Sequence, residues 1–179
     1  MRRWVLVLMV GLAGLAACSS GGETVRERDL PERINVSSAA FADGAAIPRR
    51  FTCTGENLSP PLRWSGVPEG TAGVALVVDD PDAPRGTFVH WLVVGLDPAS
   101  EGLAEGAVPA GARQLPNSSG DAAWTGPCPP GGPAHHYRFT VYALREQPGV
   151  AGDADPGAAV EAIEAAASAR GRLVGTFGR

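Results

Sequence analysis

The 179-residue chain contains no lysine: all 15 of its basic residues are arginine, scattered among 19 Asp and Glu. A nucleic-acid surface needs clustered positive charge, so this balance excludes one. Charged residues of either sign are scarce as well, at 19%, and form no long like-charge block. A disordered acidic polymer is therefore excluded. Glycine and proline are plentiful but show no three-residue period, which removes a collagen-like structure. Two catalytic signatures are missing. No G-x-S-x-G elbow presents a serine, and no H-E-x-x-H pair presents metal ligands. One long apolar run exists, from Trp4 to Ala17, and its fourteen residues fall short of the roughly 20 that span a bilayer as a helix. One globular domain of ordinary size remains, with no metal or cofactor expected.

What is there begins with an address. Met1, Arg2 and Arg3 form a basic start ahead of the apolar run, as in a secretion signal. The run ends in Leu15-Ala16-Ala17-Cys18, which resembles the bacterial lipobox. The expectation is a signal peptide over 1–17, a lipidated Cys18 opening a flexible tether over 18–35, and a folded domain over 36–179. Acyl chains contribute about 0.8 kcal/mol per buried CH₂ and would hold an exported domain at a membrane of the cell envelope. From Cys18 onward, 13 Arg stand against 19 acidic residues, a formal charge of −6. Anionic lipid repels that charge, so attachment has to be covalent. Cys53 and Cys128 remain once Cys18 is lipidated, either as a disulfide closing a loop of about 75 residues or as two buried thiols.

Along the domain, Val74–Val78 reads as a buried strand ended by Asp79-Asp80-Pro81, and Phe88–Leu96 as a second strand stopped by Asp97-Pro98. Residues 99–135 lack periodicity and read as a long functional loop. In the strand His136–Leu144, Tyr137, Phe139, Val141 and Ala143 share one face, and Arg138, Thr140 and Tyr142 the other. Asp155 and Pro156 open a helix whose Ala-rich interior carries Val160, Ile163 and Ala167 on one side, with Gly171 as its stop. A last strand is expected over Leu173–Phe177. Strands in series with one late helix indicate a mostly β sandwich of antiparallel strands.

All three histidines fall in two short segments, each joining a Pro-stiffened loop to a strand. Such loops lose little entropy on ordering, can lock X-Pro bonds in cis, and can aim backbone N–H groups at a ligand. His90 and His135 are the candidates to contact an anion as donors that gain charge near neutral pH, with Asp80 or Asp82 favouring the imidazolium. That reading predicts tighter anion binding near pH 6 than pH 8. His136 should point away from His135, Asp79 should cap or orient the loop, and Trp64, Trp91 and Phe139 should be core. Tyr137 either bonds an anion through its hydroxyl or is a core aromatic with one satisfied polar tip. Cys128, His135 and Asp80 could imitate a thiol triad, but proline on both sides of Cys128 argues against a nucleophile.

DDPDAP at 79–84, FVHWLVV at 88–94 and GPCPPGGPAHHY at 126–137 together resemble the phosphatidylethanolamine-binding protein family, in its bacterial, Raf kinase inhibitor-like branch. CTGENLSPPLRW at 53–64, VPEGT at 67–71 and PNS at 116–118 support the likeness, which runs from Val36 to Phe177. The resemblance implies a β-sandwich with a late helix and short peripheral helices, and a non-enzymatic pocket for phosphate-type anions or phospholipid head groups. Carried across, that pocket would comprise Asp80, Pro81, Asp82, Pro84, His90, Gly126, Cys128, Pro129, Pro130, His135 and Tyr137. It also implies an alternative, a protein-inhibitor module acting on an envelope protease or kinase. Trp124 departs from a usual Tyr, which keeps stacking and loses a hydroxyl. His136 departs from a frequent Arg, which removes a permanent charge.

Overall fold

The computed structural model describes residues 29–179. The basic start, the apolar run, Cys18 and the first part of the tether lie outside the described residues. In chain order the elements are β1 (Asn35–Ser37), β2 (Leu62–Ser65), β3 (Gly73–Asp80), β4 (Phe88–Leu96), β5 (Gly102–Leu103), β6 (Arg113–Leu115), β7 (His135–Leu144), α1 (Pro156–Ala166) and β8 (Ala167–Phe177). They form a three-stranded sheet, β1-β2-β5, and a five-stranded sheet, β6-β4-β3-β7-β8. Every pairing within them is antiparallel. This is the mostly β sandwich expected from the sequence.

Strand β3 is apolar from Val74 to Val78 because it is central and buried on both faces. Period-two alternation sorts its neighbours. On β7, Tyr137, Phe139, Val141 and Ala143 face the smaller sheet and pack with Trp91, Val93, Leu62 and Trp64. Tyr142 and Leu144 turn to the opposite face, against Ala159, Ile163 and Ala166 of α1. Each large side chain so buried stabilises by about 1.5–3 kcal/mol. Trp64, Trp91 and Phe139 are thus core, as expected.

Several expectations need correction. The helix stops at Ala166, and residues 167–170 belong to β8. Helix propensity favours Ala by well under 1 kcal/mol per residue, and here it yields to a ladder in which Leu144 pairs Ala167 and Ala143 pairs Ala169. Gly171 is no helix stop. A Cβ there would lie 1.8 Å from the Ile34 carbonyl oxygen, so glycine lets the entering chain lie against β8. That chain docks before residue 36. The Arg33 and Ile34 N–H groups donate to Arg170 O, and Ile34 is buried. The long loop carries two short strands, β5 and β6, whose Leu103 and Leu115 enter the core. The peripheral helices amount, among the described residues, to one 3₁₀ turn at Arg49–Phe51. All peptide bonds among the described residues are trans, so what proline itself adds to these loops is its fixed φ and not a cis bond. The N-terminus of α1 is as read: Asp155 accepts from the Ala158 N–H at 3.1 Å, with Pro156 following.

Candidate functional site

The end of β3 divides its two aspartates between the faces of the sheet. Asp79 pairs with Arg138 in register on the helix side. Arg138 donates to it bidentately, Nε to Oδ1 at 2.8 Å and Nη2 to Oδ2 at 2.5 Å. The capping role expected of Asp79 is therefore replaced by an ion pair. Asp80 faces the other way, where His135 Nδ1 donates to its Oδ2 at 2.7 Å and the Asp82 N–H to its Oδ1 at 2.8 Å. Asp82 turns outward and accepts from both the backbone N–H and Nδ1 of His136. Those two hydrogen bonds, the backbone one foremost, hold its carboxyl below the ordinary carboxylate value. His136 is exposed and points away from His135, as alternation predicts.

His90 reaches this face through an irregularity. The β3–β4 register runs Val78 to Trp91 and then Asp79 to Val89, leaving His90 as the extra residue of a bulge. A bulge re-aims a side chain that strict alternation would send elsewhere. The His90 ring meets Tyr137 edge-on at 5.2 Å and Phe88 at 4.7 Å. Its Nδ1 donates to the Thr125 carbonyl at 2.6 Å, and burial pushes its pKa down. The charge gain expected of His90 near neutral pH is corrected accordingly. With its proton on Nδ1, the neutral ring presents Nε2 as an acceptor.

The second proline loop is tied down at almost every residue. Cys128 is disulfide-bonded to Cys53, with Cα atoms 5.4 Å apart. The Gly126 N–H donates to Asn57 Oδ1, the Cys53 N–H to Pro127 O, and Asn117 Nδ2 to Thr125 Oγ1. A Cβ on Gly126 would sit 2.4 Å from Asn57 Oδ1 and 2.7 Å from Phe51 O, so only glycine fits. Gly126, Pro127 and Pro129 are buried, while Cys128 and Pro130 are exposed. Pro81, Asp82 and Pro84 of the first loop are exposed too.

Of the two readings left open for Tyr137, the core one holds for the ring, but the satisfied polar tip it assumed is corrected. Tyr137 is a core residue with no exposed surface, and its hydroxyl is buried without a hydrogen-bond partner among the described residues. Burial first, then the carboxylates of Asp80 and Asp82, push its pKa up, and the Arg179 charge opposes them. Trp124 stacks on Phe139 at 6.1 Å and meets Trp91 edge-on at 5.7 Å, so the stacking survives as expected. A groove of about 890 Å³ lies on the opposite face of the sheet, beside Asp79, Arg138 and Glu164. It shares only Pro81 with the residues carried across by resemblance.

Comparison with known proteins agrees with this architecture. The family model described as phosphatidylethanolamine-binding protein matches residues 37–178. The chain belongs to that family. Among its relatives, a UPF0098 protein of Mycobacterium bovis is 50% identical over 87% of this chain and 76% of its own length. A Mycobacterium tuberculosis protein named as a lipoprotein, LppC, is 45% identical over 96% of this chain and 92% of its own. Escherichia coli YbcL, described as a member of the mammalian PEBP family, has a crystal structure that superposes with a TM-score of 0.78. It is 33% identical over 82% of this chain and 99% of its own.

Three residues of this family member at the site were not singled out from sequence. Asn57 adopts φ 56°, a left-handed conformation that Asn tolerates better than most, and so turns Oδ1 to Gly126. Thr125 offers a carbonyl, which no side-chain reading detects. Arg179 donates from Nε to Pro129 O at 2.7 Å. The antiparallel register of β7 with β8 would have found it, since His135 pairs with Phe177.

Proposed function

We propose that this family member is a non-enzymatic binding protein, exported and anchored to the cell envelope through Cys18. Its ligand is a phosphate-type anion or a phospholipid head group. The pocket comprises Asp80, Pro81, Asp82, Pro84, His90, Gly126, Cys128, Pro129, Pro130, His135 and Tyr137. The observation that carries this reading is the Tyr137 hydroxyl. A buried hydroxyl without a partner costs about 1–3 kcal/mol, and here the ring that carries it meets the His90 ring while the charges of Asp80 and Asp82 act on the hydroxyl. A ligand oxygen would satisfy it once the exposed loop residues around it shift to admit one, since the hydroxyl itself has no exposed surface. His90 Nε2 would accept a proton carried by a phosphate monoester, while loop backbone N–H groups would donate to its oxygens. The acidic domain thus binds an anion through local donors, against its own overall field. The lipobox-like segment, together with a relative named as a lipoprotein, supports the anchor.

The test is isothermal titration of the protein with inorganic phosphate and with phosphoethanolamine. Tyr137→Phe removes only the hydroxyl and should weaken binding at least fivefold with the fold unchanged. Equal affinity of the variant and the parent overturns the reading.

A further inference from the structure

A positive charge strengthens an anion site built on neutral donors, and the residues gathered at the pocket supply little. Both carboxylates present, Asp80 and Asp82, are engaged by histidines, and His90 is held in its neutral form by burial. Arg179 is different. The β7–β8 pairing ends at His135 and Phe177, and Gly178 then passes so close to Ala134 that a Cβ would meet its Cα at 3.1 Å. The next residue, Arg179, therefore sits over the base of β7. Its Nε donates to Pro129 O at 2.7 Å, which places the guanidinium on the second proline loop. No carboxylate among the described residues pairs with it, and Nε makes its one hydrogen bond to them. Its charge acts on the buried Tyr137 hydroxyl, which has no partner among the described residues, in the direction opposite to Asp80 and Asp82.

We propose that Arg179 is the cationic arm of the pocket: Pro129 O fixes Nε, and the two Nη groups form a fork that grips two oxygens of a phosphate while Tyr137 donates to a third. This assignment rests on the anion-binding reading above. A planar fork matches an oxyanion bidentately, as a lysine ammonium does not. Arginine also keeps its charge at every working pH. The arm supplies what the neutral His90 withholds.

The experiment uses the full-length protein in a maltoside detergent, which carries no phosphate. Inorganic phosphate and glycerophosphoethanolamine are titrated separately, so free phosphate and a lipid head group are told apart. Two readouts are followed by NMR: the imidazole signals of His90 and His135, and the Arg179 Nε–H signal, assigned by its absence from Arg179→Lys. The expected result is movement of all three signals with one affinity. Arg179→Ala should bind at least tenfold more weakly, and Arg179→Lys should recover only part of that loss. If the imidazoles respond while Arg179 Nε–H stays still and Arg179→Ala binds within twofold, the arm is refuted and the pocket reading stands. If neither probe moves the imidazoles of the parent protein, the pocket reading fails and the arm fails with it.

Discussion

The two proline loops of the site are built from similar residues and held by different forces. Residues 81–87 are mostly exposed, and Asp82 ties them down, its backbone N–H donating to the Asp80 carboxylate and its own carboxylate accepting from His136. Residues 125–130 are held by a disulfide, by Asn57, by Arg179, and by a mutual grip with His90, whose carbonyl accepts from the Thr125 N–H. One loop depends on titratable groups at the surface, and the other on covalent and buried ties. Proline alone thus does not define a rigid wall. It lowers the entropy of ordering, and the ties decide where the loop rests.

The sharpest way to break this comparison is to remove the covalent tie. The disulfide spans 75 residues, for which the chain-entropy model gives about 4 kcal/mol. Cys53 and Cys128 are both exposed, so replacing them with Ser removes no core packing. The Cys53→Ser, Cys128→Ser double variant should lose about 4 kcal/mol of unfolding free energy in a urea melt. Amide exchange should rise around Gly126 while the first loop keeps its parent rate. A loss under about 1 kcal/mol would mean that Asn57 and Arg179 hold the second loop unaided.

The sequence made the scaffold legible where one rule governs. Alternation sorted β7 correctly because each residue there has a clear partner on one face. The continuous apolar run of β3 betrayed a strand buried on both sides. Legibility failed where two local preferences competed. Residues 167–170 favour helix by composition, and only the ladder with β7 makes them strand. At the site, the motifs located both loops and most of the polar groups. They could not show that a bulge turns His90 toward Tyr137, because a bulge is a property of two strands together. Nor could they show that His90 is buried and tied to a carbonyl, which reverses its electrostatic role. Arg179 escaped notice because no motif contains it.

A smaller effect should follow from His90, which belongs to the second loop by its bond to Thr125. An unfolded histidine titrates near 6.5, and burial depresses the folded value. Between the two values the unfolded chain binds more protons, so stability rises with pH. The contribution is complete above about pH 6.5 and is lost as pH falls through the folded value. His90→Asn keeps a donor where Nδ1 points and does not titrate. The parent protein should therefore lose more thermal stability between pH 7.5 and 5.5 than His90→Asn does. Parallel melting curves across that range would mean that Thr125 is not gripped by a neutral imidazole.

The smallest effect belongs to the first loop and tests the other half of the comparison. Asp82 and His136 form an exposed pair, with side chains 43% and 59% accessible. Exposed pairs contribute only about 0.2–1 kcal/mol because water screens them. The depressed carboxyl value of Asp82 adds stability that is present above its ordinary value and lost as pH falls through the folded one. Asp82→Asn keeps an oxygen to accept from the His136 N–H and gives up the charge. At pH 7 it should cost about 0.5 kcal/mol in a denaturant melt and leave the exchange of residues 125–130 untouched. The same substitution at pH 3 should cost less, because pH 3 lies below the ordinary carboxylate value and the contribution is by then being lost. A loss above about 2 kcal/mol at pH 7 would contradict the screened value and show the first loop to be held as firmly as the second. The contrast between a surface-tied and a covalently tied wall would then disappear.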